Sequence, residues 1–222
     1  MSEDALSALV VIDYQNIHLT AHERFAPVGL AKHETLVHPL QFANQVLITR
    51  MHRLAVRAMA EGGPAPLPVR LDGVKVYRGS PSNAQAPTAY RRSQAQRSEW
   101  TRDRRVEVYY RTLRYLWDPA RHEKVPSEKG IDVLAALAVV RAADSKAFDL
   151  IIVASHDTDL EPAIEAAILG PPDSDVDTPR SVTVETAGWD GCKRLRVPGL
   201  EIRHTSLGPA EFVRSRDRKD YT

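Results

Sequence analysis

A three-layer α/β sandwich, with a mostly parallel central sheet and helices on both faces, is the fold class this sequence predicts. Two observations carry it. Runs such as ALVVID (8–13) and FDLIIVAS (148–155) are short and almost wholly apolar, as strands covered on both faces are. Longer stretches with apolar residues at helical spacing separate them, and strands alternating with helices build a parallel sheet. Ligands of such sheets bind beyond the carboxyl ends of the strands, near the point where strand order reverses. Polar residues just after the apolar runs are therefore the first candidates for function.

The elements follow in order. ALVVID is the first strand, and residues 20–38, with scattered His, Pro and Gly, read as a loop. From Pro39 to Ala60, Leu40, Ala43, Val46, Leu47, Met51, Leu54, Ala55 and Ala58 recur at helical spacing. Pro39 suits the first turn, and Gly62-Gly63 stops the helix. VRLDGVKVYRG (69–79) is a strand with an internal turn at Asp72-Gly73. Residues 88–104 form a polar, arginine-rich helix, VEVYYRTL (106–113) a strand, and EKGIDVLAALAVVRAAD (128–144) a strong helix. After FDLIIVAS come the helix DLEPAIEAAIL (159–169), a surface loop PPDSDVDTP (171–179) and a third apolar strand SVTVETA (181–187). A short strand LEIRHTSL (200–207) and a helical turn in GPAEFV (208–213) close the series. Residues 1–213 are expected to form one domain and 214–222 a charged tail.

Composition narrows the function classes. Hydrophobic residues make up 43% of the 222 and charged residues 27%, a globular balance rather than a disordered one. Lys+Arg 30 against Asp+Glu 29 leaves a net charge of +1, so any anion site must come from local clustering. The single cysteine, Cys192, excludes a disulfide framework and a cysteine-based zinc site, and favours a reducing compartment. The histidines lack the H-E-x-x-H spacing of zinc hydrolases, and there is no G-x-G-x-x-G to hold a nucleotide cofactor. MSEDALSALVVID lacks the basic start of a signal peptide, and no apolar run approaches membrane-spanning length. A cytoplasmic protein without membrane association is expected, and a homo-oligomer is left open.

Acidic residues stand where the fold class puts a site. Asp13 ends the first strand, Asp157 and Asp159 follow FDLIIVAS, and Asp132 opens the helix after Lys129-Gly130. Each taken singly is most simply a helix cap or turn former. Jointly they place four carboxylates at one sheet edge, where they repel unless protonated or neutralised by a cation. Oxygen-only ligands favour Mg2+ or Mn2+, which can acidify a bound water and neutralise a phosphate.

The segments VVIDYQN, EKGIDVLAALAVV and DLIIVASHDTDLEPAIEAA, in that order, resemble the three motifs of the NYN domain, a branch of the PIN-like nucleases. VTVETAGW resembles the family's next strand, and the likeness spans roughly residues 8–205. The resemblance implies a PIN-like fold, Mg2+ or Mn2+ at the motif acids, and ribonuclease activity. It assigns catalytic roles to Asp13, Asn16, Asp132, Asp157 and Asp159, with the four aspartates as metal ligands. Tyr14 and His156 are bulkier than the family's usual residues and are expected to narrow the pocket.

A substrate path is read separately. Eight arginines fall between residues 91 and 114, against Glu99, Asp103 and Glu107, with tyrosines and tryptophans interleaved. Guanidinium groups match phosphates and aromatic faces stack on unpaired bases, so single-stranded RNA is the expected partner. Arg97, Arg102 and Arg105 are the candidate contacts, with Lys129 and Ser155 beside the acids. A solvated helix face is the plainer alternative. The leading reading is a metal-dependent endoribonuclease acting on single-stranded or looped RNA. A non-catalytic RNA-binding or adaptor module with the same fold is the alternative. A phosphatase with an Asp nucleophile fits poorly, because its D-x-D belongs on the first strand.

Overall fold

The structure, a computed structural model, describes residues 5–170 and 182–221. Six parallel strands form the central sheet: β1 (Leu6–Asp13), β2 (Val69–Ser80), β3 (Val106–Thr112), β6 (Leu150–Ala154), β7 (Thr183–Trp189) and β8 (His204–Leu207). Their order across the sheet is β3-β2-β1-β6-β7-β8. The chain runs outward from β1 in one direction, then returns to β6 and runs outward in the other. The reversal falls between β1 and β6, which pair directly. β4 (Arg114–Asp118) and β5 (Glu123–Ser127) make a separate antiparallel hairpin.

Among the described residues, six α-helices cover the sheet: α1 (Tyr14–Phe25), α2 (Pro39–Glu61), α3 (Pro87–Trp100), α4 (Ile131–Ser145), α5 (Glu161–Leu169) and α6 (Pro209–Ser215). Alternation along β1 divides the core. Ala8, Val10 and Ile12 pack with Tyr14, Phe42, Trp100 and Phe212 under α1, α2, α3 and α6. Leu9 and Val11 pack with Ile131, Ala135, Val139 and Ile164 under α4 and α5. The expected three-layer sandwich is therefore the fold, and no helix among the described residues is long and apolar enough to cross a membrane.

Two local expectations need correction, and one segment without an expectation has structure. Residues 20–38 are not all loop, because α1 runs to Phe25. Its buried residues Tyr14, Ile17, His18 and Ala21 keep helical spacing, but His18 disguises the apolar stripe. Asp72-Gly73 is not a turn: β2 continues, with the register to β1 slipping between Ala8–Leu71 and Leu9–Gly73 as a bulge. Residues 114–127 form the hairpin, which short alternating polar segments did not announce. The predicted loop at 171–179 lies outside the described residues. The charged tail packs back on the domain: Asp217 is buried and accepts a 2.7 Å hydrogen bond from Trp100 Nε1.

Candidate active site

Asp13 and the loop after β6 flank the strand-order reversal at the carboxyl edge of the sheet. Asp13 follows Leu9 and Val11 on the alternation, so its carboxylate lies on the α4 side. It caps α1 by accepting the Asn16 N–H at 3.4 Å, and its other oxygen accepts the Ser155 hydroxyl at 2.9 Å. Burial is the main cause that pushes the Asp13 carboxyl from 3.8 up to about 6. The bonds from Ser155 and Asn16 oppose that shift, while the nearby charges of Glu128 and Asp157 add to it.

Among the described residues no cation is bonded to Asp13, which is one member of an acidic arc. Asp157 receives the Asp159 N–H at 3.0 Å, and its own N–H donates to the Ser155 oxygen at 3.0 Å. Asp132 sits in the first turn of α4 and shares a shallow cleft with Asp159, between α4 and α5. Glu128 links the two sides. Burial raises its pKa first, and the Asp132 charge adds to this, against the Gly79 N–H that donates to it at 2.7 Å and the charge of Arg78. Sequence reasoning stopped at Lys129-Gly130 and missed Glu128, although it directly precedes that pair.

Donor chemistry fits a hard cation: every acid in the arc is a carboxylate, and Asp13 carries its charge at a buried position. Among the described residues, no three His, Cys, Asp or Glu side chains are placed to hold a metal ion unaided. Magnesium requires less, since one or two carboxylates with waters and substrate phosphates complete its shell.

The remaining site residues fall into two groups. Asn16 fastens α1 to the β6 loop, its side-chain oxygen accepting the His156 N–H at 2.8 Å. Ser155 is fully buried and committed to Asp13, so it positions that carboxylate and does not face substrate. Lys129 is exposed beside Glu128. Arg102 and Arg105 are not at this edge. They lie before β3, at the amino ends of the parallel strands, paired with Glu99 and Asp103. Arg97, near the end of α3, stacks over Tyr110. Arg78 is the cation whose charge acts on Glu128, and Arg111, near the carboxyl end of β3, lies against Gly130, between Glu128 and Asp132 in the chain. A carbon added at Gly130 would come within 2.9 Å of Arg111 Nη1, and Gly130 also holds φ 76.

Tyr14 and His156 do not narrow the pocket. Tyr14 is buried on the opposite face, donating to the Val37 carbonyl at 2.9 Å. The His156 ring rests against Gly188, where a Cβ would come within 2.3 Å of it. Its Nε2 accepts the Trp189 N–H at 3.1 Å and its Nδ1 donates to the Lys193 carbonyl at 2.9 Å. Acceptance at Nε2 needs the neutral ring, and burial lowers its pKa accordingly, against the bond to the Lys193 carbonyl, which raises it.

No family model matches the chain, and no curated protein is similar to it. Among solved structures, a protein of unknown function from Vibrio parahaemolyticus aligns with a TM-score of 0.47 and 15% identity, covering 87% of this chain and 88% of that one.

Proposed function

We propose that this protein is a metal-dependent endoribonuclease that hydrolyses phosphodiester bonds in single-stranded or looped RNA. The observation that supports it most is Asp13: a carboxylate buried at the strand-order reversal, bonded to a serine and, among the described residues, to no cation, within the field of Glu128 and Asp157. A structural carboxylate at such a position is normally paired, whereas a strongly perturbed one in a cleft is a candidate for chemistry. The motif resemblance to NYN-domain nucleases adds the reaction class.

In this reading Asp13, Asp132, Asp157 and Asp159, with Glu128, hold Mg2+ or Mn2+ directly or through water. The ion supplies neutralisation of the phosphate charge and acidification of a bound water. Ser155 orients the Asp13 carboxylate through its hydroxyl. Asn16 keeps the β6 loop against α1, which sets the separation of Asp13 and Asp157. Lys129 and Arg111 offer cations to the RNA phosphates beside the acids.

A cleavage assay on single-stranded RNA with Mn2+, Mg2+ or EDTA tests the proposal. Metal-dependent cleavage is expected, and Asp13→Asn should lower it by about a hundredfold or more, the scale of a lost charge at the reacting centre. Undiminished activity in that variant excludes Asp13. RNA binding without cleavage in any metal leaves an RNA-binding module that retains the fold.

A further inference from the structure

A second polar site lies on the other face of the same sheet edge. A pocket of about 300 Å³ opens between α1, the segment 32–36, the residue after β2 and α3. That volume is at the small end of small-molecule sites. Its cations are Lys32, Arg78 and Arg92, and no Asp or Glu lines it. Glu34, Asp217 and Asp220 line an adjoining cleft against the C-terminal segment.

Four polar atoms here are buried and have no hydrogen-bond partner among the described residues: Arg78 Nε, Arg92 Nε, Ser93 Oγ and His18 Nδ1. Ser93 and His18 are 1% and 4% exposed, so neither loses its partner to open solvent. Two of these side chains, Arg78 and His18, are held by their neighbours. The Arg78 guanidinium lies over the Tyr14 ring at 4.8 Å and the Trp100 ring at 5.7 Å, and donates to Gln96 Oε1. The His18 ring stacks on Tyr14 and lies beside the Lys32 backbone. Burial, then the charge of Arg78, lowers the His18 pKa to about 3, so the ring is neutral, with one nitrogen a donor and the other an acceptor.

Buried donors left unmade are unfavourable, and a group that satisfies them all together identifies the ligand. Two arginine Nε–H groups and a hydroxyl call for an anion with several acceptor oxygens. Three cations without a carboxylate call for a dianion. An unpartnered nitrogen of a neutral imidazole beside them calls for a hydroxyl on the same ligand, which can pair with either tautomer. We propose that this pocket binds a nucleotide's phosphate monoester, with the phosphate on Arg78, Arg92 and Ser93 and a sugar hydroxyl on His18. Gln15, two residues after Asp13, and Pro81, just after β2, line the pocket, so it borders the acid edge. Arg78 also acts electrostatically on Glu128. A strand whose terminal phosphate occupies the pocket therefore reaches the acids with its interior. That extension rests on the nuclease reading; the affinity for phosphate monoester does not.

Binding is measured with the full chain in EDTA, so that nothing is cleaved. The probes are single-stranded oligoribonucleotides carrying a 5′-phosphate, a 3′-phosphate or two hydroxyl ends, together with adenosine monophosphate and inorganic phosphate as competitors. One phosphorylated end should bind about tenfold tighter than the hydroxyl ends, the scale of one charge-assisted hydrogen bond. Arg92→Gln or Lys32→Gln should erase that preference and leave the hydroxyl-ended affinity within about twofold. Arg78→Gln is the less clean variant, since Arg78 supports Tyr14 and Trp100. A mononucleotide that competes as strongly as the strand supports the pocket with the free nucleotide as its ligand, and a stronger strand supports the strand end. Equal affinity for all ends, with no competition by either small phosphate, overturns the proposal. Cleavage without end preference overturns the pocket alone, and end preference without cleavage overturns only the nuclease reading.

Discussion

Two buried carboxylates of the sheet, Glu185 and Asp13, have opposite surroundings. Glu185 on β7 is 1% exposed and receives Arg50 Nε and Nη2, both at 2.8 Å, and Arg203 Nη1 at 2.9 Å. Asp13 on β1 is 8% exposed and receives one serine hydroxyl and one long backbone bond. Burying a charge is costly unless it is paired. The fold provides the pairing at Glu185 and withholds it at Asp13, where the charge of a second carboxylate, Asp157, adds to the burial. The first is a structural clamp between α2 and the sheet; the second is poised to take a cation or a proton.

The largest effect should come from breaking the clamp. Arg50→Met keeps much of the side-chain volume but leaves Glu185 with the half-exposed Arg203 alone. Removing one partner of a buried pair costs about 3–5 kcal/mol, and at this chain length that is a melting decrease on the order of 10 °C. Thermal or urea unfolding checks it, and a change below about 1 kcal/mol would make the clamp incidental.

Asp13→Asn should have the opposite sign. The folded carboxyl is raised from 3.8 to about 6, so its contribution to stability is fully present below pH 3.8 and is lost as pH rises through about 6. Near pH 7 the ionised group therefore destabilises the metal-free protein, by about 3 kcal/mol for a shift of this size. Without metal the variant should melt above the wild type at pH 7, with the difference vanishing toward pH 4. Millimolar Mn2+ should raise the wild-type melting temperature and leave the variant unchanged. A pH-independent difference would remove Asp13 from the titration.

Legibility in the sequence followed the same division. Buried parallel strands are apolar throughout, so β1 and β6 were readable, and with them the edge bearing Asp13, Asp157 and Asp159. Asp132 was readable because it opens a strong helix. Glu128, Arg78 and Arg111 were not, because their importance depends on which strand lies beside which. β2 and β3 sit on one side of β1, which brings Arg78, Arg111 and the Glu128 segment to the acid edge. Charge counting alone favoured Arg102 and Arg105, which share the arginine run but lie at the amino ends of the strands.

That difference supplies the smallest and most discriminating expectation. Arg102 and Arg105 are partly or largely exposed and already paired with Glu99 and Asp103, so replacing both with Gln should change stability by no more than about 1 kcal/mol. RNA affinity should stay within about twofold, because a cation at the far edge meets no phosphate of a strand lying over the acids. Arg111→Gln should weaken binding across sequences and make the logarithmic salt dependence shallower by about 0.7, the release of counterions at one single-strand phosphate. Salt titrations of both variants in EDTA decide between the two edges. If the double variant loses the slope and Arg111→Gln keeps it, RNA follows the arginine run over the amino ends of β2 and β3. The acids at Asp13 would then lie off its path, and Asp13 would be the unpaired carboxylate with no substrate beside it.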